Sequence, residues 1–469
     1  MNKIKDFICC KLSKESFSKY ECVIIFLSLF WMIFYYLVIF WCNDRGMSLN
    51  FSWQLYPVFI ILYIPLIHSF IYHIKNKNFK LKSIDVFFIF YLFFCVIATI
   101  FSEDKNKSIY GNGIRNEGLI TIIMYFLIYS LGRNIVNKDN ILKIINVLFG
   151  FGIWQVVAGL FQAYYTWNSD FDEMAFGFAS NPNMFSLLIG MFAIMAISLY
   201  LSNFEKINKY KKYYLFCSIL FYIGLLIGES AGPFFTFIGM LFVVFTYYFI
   251  KRTSIKKIFL LLIIFIVLFP TIQFSNRVVN EYYLRDAEYK KLITNNNTDY
   301  SKLYTDVLKI INIITPQKNE RIEEIEVLEK TSEEIKESTN NQVINSIDSG
   351  RLDEWKNVIY KLILNWENGV GLDCLHIYYH QRGFLEVLDK AHNQYLDICV
   401  SIGIFGGIMY LVMVLTVFIK GVNNKNLIAK VVLFGFLYYS IAIFINISTP
   451  FVAMYYYIII GLMIGLCEK

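Results

Sequence analysis

The sequence predicts an all-α polytopic membrane protein with about twelve transmembrane helices and one large extracytoplasmic loop between helices 9 and 10. Three observations carry this. The 469 residues are 57% hydrophobic and only 17% charged, whereas a soluble domain is about 25% charged. Mean hydropathy is +0.51. Lys and Arg also recur in every second connection between apolar runs, as the positive-inside rule demands. The same figures exclude disordered, collagen-like and small disulfide-stapled classes. The net charge of +7 comes from these scattered membrane-flanking lysines, so it describes no nucleic-acid-binding surface.

A helix needs roughly 20 apolar residues to cross the hydrocarbon. Runs of that kind lie near 22–42, 53–74, 84–102, 117–132, 141–165 and 183–202. Further runs lie near 213–229, 232–250, 257–275, 392–419, 427–446 and 450–467. The fourth and seventh are short, and the break at Glu229–Pro233 fits either a turn or a re-entrant bend. Lysines 3, 5, 11, 14 and 19 precede the first run. Lys75–Lys82, Arg133–Lys143, Lys206–Lys212, Lys251–Lys257 and Lys420–Lys430 mark the other basic connections. Both termini are therefore expected in the cytoplasm of a multi-pass plasma-membrane protein. The lysine-rich start runs into a full-length apolar segment, which reads as an attached first span. Nine scattered cysteines form no CxxC pattern and suggest no disulfide framework.

This layout divides the chain into residues 1–275 (nine helices), 276–391 (the loop, partly helical) and 392–469 (three helices). The loop carries 15 Lys/Arg against 20 Asp/Glu, opposite in sign to the cytoplasmic connections. Its stretch 321–337 has the character of a charged, solvated helix. Leu352, Trp355, Val358, Ile359, Leu362 and Ile363 recur at helical spacing, which suggests a helix lying on the membrane face.

Four polar clusters fall at the predicted outer ends of spans: Gly111–Gly118 with Arg115 and Glu117; Ser180-Asn181-Pro182-Asn183; Arg351…Trp355 with Gly369-Val-Gly-Leu372; and His392-Asn393-Gln-Tyr-Leu-Asp397. Polar groups at membrane depth are costly, so such a gathering marks a functional region. Each has a plainer reading as well. His392 fits an interfacial residue beginning a helix, and Arg351 fits an anchor to lipid phosphates. Arg115 with Glu117 fits a salt-bridged helix start, and Asn181-Pro-Asn183 fits a turn and N-cap. His376 and His380 would share a helical face but lack a third ligand at zinc-site spacing.

His392-Asn393-x-x-Leu396-Asp397 followed by Gly403-Ile-Phe-Gly406 resembles the signature that follows the large outer loop in O-antigen ligases and related polymerases. Asn181-Pro-Asn183, Arg115-Asn-Glu-Gly118 and Arg351…Trp355…Gly369-x-Gly371 are similar to motifs of that superfamily, in the same order. The resemblance implies an inverting, metal-independent glycosyltransferase without a cofactor, a ligase or polymerase of cell-surface polysaccharide. Its donor would be a glycan on undecaprenyl pyrophosphate in the lipid bilayer, and its acceptor a glycan or other hydroxyl. Arg351 would contact the pyrophosphate, since guanidinium gives permanently charged bidentate donors. His392 would take the acceptor proton. Arg115 would be a second phosphate contact. Asn181, Asn183, Asn393 and Asp397 would orient groups around them, and Glu117, Glu229 and Ser230 complete the expected binding residues. Relatives commonly carry an Arg after the Ser that opens span eight; here that place is Ala231. The rival class is a flippase for lipid-linked saccharide, against which stand the lack of internal repeats and the end-of-span position of the motifs. An inactive scaffold relative is the third reading, kept by Ala231.

Overall fold

The structure, a computed structural model, describes residues 63–64, 66–75, 81–112, 116–136, 140–166, 175–179, 181–203, 205–252, 255–270, 272, 351–381 and 384–468. The predicted span at 22–42, half of that at 53–74, the charged stretch 321–337, Ser180 and Arg115 lie outside the described residues. Contacts divide the chain into two units, Met1–Ser275 with Asn357–Lys469, and Asn276–Lys356. The first unit holds all the described helices except the start of one.

Its helices, in chain order, are α1 (Ser83–Phe101), α2 (Lys105–Tyr110), α3 (Leu119–Ile135), α4 (Ile141–Thr166), α5 (Pro182–Leu201), α6 (Lys211–Ile227) and α7 (Ala231–Ile250). A helical stretch over 255–270 follows. Helix α8 (Arg351–Leu364) begins in the second unit and ends in the first. After it come α9 (Gln394–Asn423), α10 (Leu427–Ala442) and α11 (Pro450–Glu468). Among the described residues, six helices (α1, α4, α5, α7, α9 and α11) are long and apolar enough to cross a membrane, and α3 and α10 are shorter apolar helices. This is an integral membrane protein built of helices. A small antiparallel hairpin, β1 (Ile377–Gln381) with β2 (Phe384–Leu388), is added inside the predicted loop. His380 thus sits in a strand, where four residues span about 13 Å, and the shared helical face with His376 does not form.

Local chemistry explains where the helices start. The Asp85 carboxylate accepts the Lys82 N–H at 2.7 Å. Asn181, Asn393 and Asn426 are N-caps whose side-chain oxygens accept N–H groups of the first turn. Pro182 opens α5, where its missing N–H costs nothing. The break before α7 is a three-residue turn, Gly228–Ser230, in which Glu229 takes φ of 45°.

Helix α5 is wholly enclosed and α11 is 94% enclosed, while α1 and α7 are each 39% enclosed. The core therefore surrounds α5 and α11, and the outer helices turn Phe93, Phe235, Phe242 and Ile250 outward. Helices α3 and α11 touch at backbone distance. A Cβ on Gly461 would lie 2.3 Å from the Tyr129 carbonyl oxygen, and one on Gly465 would lie 2.5 Å from that of Arg133. Gly461-x-x-x-Gly465 is thus a small-residue seam of the kind that lets membrane helices meet closely. At the same seam Arg133 is ion-paired with Asp85, which also accepts the Tyr129 hydroxyl at 2.7 Å. We expect Gly461→Leu to force α3 and α11 apart and to lower stability by about 3 kcal/mol, read as a fall in the thermal midpoint of the detergent-purified protein.

Candidate functional site

Helix α9 is not one rod. Gly403, with φ of 78° and ψ of 167°, interrupts it, and the backbone groups released there are taken up by the chain that follows α8. The N–H groups of Val370 and Gly371 donate to the carbonyls of Val400 and Ser401, each at 3.0 Å, and the Ile404 N–H donates to the Trp366 carbonyl at 2.8 Å. Two sequence motifs, Gly369-Val-Gly371 and Gly403-Ile-Phe-Gly406, are therefore one structural joint. It requires glycine for want of space: a Cβ on Gly369 would sit 2.3 Å from the Ser401 carbonyl oxygen, and one on Gly371 2.2 Å from Ser102 Oγ. Both glycines also have positive φ, 73° and 102°. Beside the joint, Val358, Leu375, Leu388, Ala391 and Val400 form a small second core that binds the end of α8 and the hairpin to the start of α9. The other apolar side of α8, at Ile359, Tyr360, Ile363 and Leu364, is exposed.

Above this joint lies a cluster of charges buried almost completely. Lys390 Nζ stands 3.1 Å from Glu117 Oε2, 3.3 Å from Asp373 Oδ1 and 3.0 Å from Asp397 Oδ2. The ammonium donates hydrogen bonds to Glu117 and Asp397, and Asp373 joins them as an ion-pair partner. Those carboxylates come from three separate segments: the turn before α3, the loop after the glycine joint, and the first turn of α9. Their remaining oxygens are used as well. Asp373 Oδ2 accepts the N–H groups of Asn112 at 2.7 Å and Glu117 at 3.2 Å. Asp397 Oδ1 accepts the Ala391 N–H at 3.2 Å, and the Tyr125 hydroxyl donates to Glu117 Oε1 at 3.4 Å.

Three carboxylates against one ammonium leave a negative excess in a place shielded from water, which is costly unless a proton is kept. The burden falls on Glu117. Burial raises its pKa, the Lys390 charge opposes this, and Asp373 and Asp397 add to the rise, so that it is pushed up to about 7. For Lys390, burial favours the neutral amine, but Asp397, Asp373 and Glu117 outweigh it and hold the amine well above its ordinary range. The cluster opens onto a cavity of about 30 Å³, walled by Tyr91, Tyr125, Tyr410, Tyr439, Tyr456 and Tyr457. That is room for a water or two and far too little for a sugar.

Of the residues singled out from sequence, Glu117 and Asp397 meet in this cluster. His392 is half-buried, does not line the cavity, and adopts left-handed backbone with φ of 47°. It lies between Lys390 and the Asn393 cap, whose side-chain oxygen accepts the N–H groups of Tyr395 and Leu396 at 3.1 and 3.2 Å. Asn181, Asn183 and Ser230 form a second group: Asn181 Oδ1 accepts the Asn183 N–H at 2.8 Å, and the buried Ser230 hydroxyl donates to Asn183 Oδ1. Glu229 beside them is exposed, as is Ala231. The turn at 443–448 stands between the two groups. Asn446 Nδ2 lies against Gly232, while the Asn446 and Ile443 carbonyls both accept the Gln394 N–H. Arg115 and the side chain of Arg351, with which α8 begins, lie outside what the structure describes. Lys390 and Asp373 were not singled out from the sequence. Their only signal there is position, two residues before His392 and two after Gly371.

A helical membrane protein with a broken helix and a buried ionic knot at its motif-bearing ends is the class these observations define. Residues 216–411 match the family model for O-antigen ligase. The match supports the chain's place in the O-antigen ligase and polymerase superfamily, with a role in membrane glycan assembly. It runs from within α6 into α9, taking in Ser230, Arg351, Asp373, Lys390, His392 and Asp397. No curated protein matches the chain.

Glu117 gives a test of the knot. Its folded pKa lies above its unfolded value, so the folded chain holds the proton more tightly and gains stability at low pH. That gain is lost as pH rises from about 4.5 through 7, and is on the order of 3 kcal/mol at most. Glu117→Gln removes this dependence. The difference in thermal midpoint between variant and parent should move in the variant's favour from pH 5 to pH 8; a constant difference would mean that Glu117 is an ordinary ionised carboxylate.

Proposed function

We propose that the protein transfers a glycan from an undecaprenyl-pyrophosphate carrier to an acceptor hydroxyl at the outer face of the plasma membrane, as a ligase or polymerase of cell-surface polysaccharide. The observation that carries this reading is the O-antigen ligase match across the segment that contains Arg351 and His392. The local geometry supports it. The His392 turn is tied at both sides, by Asp397 to the Ala391 N–H and by the Asn393 cap. It is placed at the head of α9, next to a joint that anchors the chain leaving α8.

In this reading the acceptor oxygen attacks the anomeric carbon while the bond from that carbon to the diphosphate oxygen breaks on the opposite side, inverting the centre. The imidazole of His392 takes the acceptor's proton as the new bond forms. The leaving diphosphate gathers negative charge, which the guanidinium groups of Arg351 and Arg115 neutralise through paired N–H donors. Asn181, Asn183, Ser230, Glu229 and Asn393 orient the sugars and the acceptor, and Asp397 and Glu117 hold the surrounding backbone. With Ala231 in place of a cation, the work of binding phosphate rests on Arg351 and Arg115. The alternation of basic connections puts the termini in the cytoplasm and this chemistry on the other side.

In a strain lacking the gene, His392→Ala and Arg351→Ala should each reduce surface glycan at least tenfold, with lipid-linked precursor accumulating at normal protein level. Normal surface glycan with both variants would remove the site.

A further inference from the structure

Resting on the transfer reading above, we propose that Lys390 is a positioning residue for the reaction: its ammonium, gripped by Glu117, Asp373 and Asp397, sets the place of the His392 imidazole. The amine makes no contact with substrate in this scheme, because the cavity it borders holds only a water or two. It acts through Asp397. That carboxylate binds the Lys390 ammonium with one oxygen and the Ala391 N–H with the other, so the peptide group joining Lys390 to Ala391, one residue short of His392, is fixed by the same group that fixes the charge.

Backbone geometry around the knot points the same way. Asn116, Asp373 and His392 are non-glycine residues with φ of 58°, 56° and 47°, a region that L-residues adopt uncommonly. Each is itself a member of the knot or stands next to one or two residues from one. Such strain persists only where the surroundings over-determine it, and it gathers at functional sites. A buried ionic cluster adds little to stability compared with a well-packed apolar one. What the knot does supply is registration: it joins the turn before α3, the loop after the glycine joint and the head of α9 at one point.

The chain has five histidines, so a ring-labelled protein in lipid nanodiscs gives five resolvable imidazole signals, with His392→Ala identifying the one in question. Lys390→Met keeps the length and removes the charge. It should shift the His392 signal while leaving the other four in place, and should lower surface glycan at least tenfold in the deletion strain at normal protein level. An unmoved His392 signal, or glycan at the parental level, overturns the proposal. Should Lys390→Met fail to accumulate, Glu117→Gln decides. It leaves Lys390 two of its three carboxylates and must still move the His392 signal selectively; no movement overturns the proposal equally. The transfer reading fails separately, through normal glycan in both His392→Ala and Arg351→Ala. Loss of glycan there with a silent Lys390→Met would discard the positioning role alone.

Discussion

A backbone N–H or C=O stripped of partners in a bilayer costs several kcal/mol, and that constraint governs how this protein brings its motifs together. A helix that spans lipid can be broken only where other parts of the protein meet its exposed groups. Gly403 breaks α9, and the carbonyls of Val400 and Ser401 find the N–H groups of Val370 and Gly371. The segment after α8 therefore has no freedom to lie elsewhere. Once it is seated, Asp373 follows two residues later, Lys390 is brought back by the hairpin, and the knot with Glu117 and Asp397 can close.

The knot and the joint play different parts. Hydrogen bonds at the joint satisfy what the break exposes, and glycine is needed there because two backbones occupy nearly the same space. The knot above adds charge to a place that could have been apolar. Stability alone would not select that, since desolvation of four ionisable groups offsets most of their attraction. Its value lies in registering segments that are far apart in the chain, next to the residue that the proposed chemistry needs most.

Much of the membrane framework was legible in the sequence. The apolar runs at 84–102, 141–165, 183–202 and 427–446 fall within a few residues of α1, α4, α5 and α10, because some twenty mostly apolar residues in lipid have no alternative to a helix. The N-cap reading of Asn181 was legible for a similar reason, as a local rule of chain geometry. The knot was not. Lys390 lies in an acidic loop and reads as one solvated charge among many, and its burial arises from partners at 117, 373 and 397 that share no periodicity with it. The hairpin was hidden too: β1 and β2 are five residues each, within a stretch whose amphipathic helix drew attention. The glycine motifs were visible as motifs, but their purpose shows only when Gly369 and Gly371 are seen pressed against Ser401 and Ser102.

The interruption at Gly403 also makes α9 a jointed lever. Its long arm, from Ile404 to Asn423, faces lipid along Phe405, Ile408, Leu411, Leu415 and Ile419, and a thicker or thinner bilayer would tilt it. The short arm, with Asp397 and Ser401, is lashed to protein loops instead. Gly403 thus divides one helix into an arm that answers to the bilayer and an arm that answers to the protein.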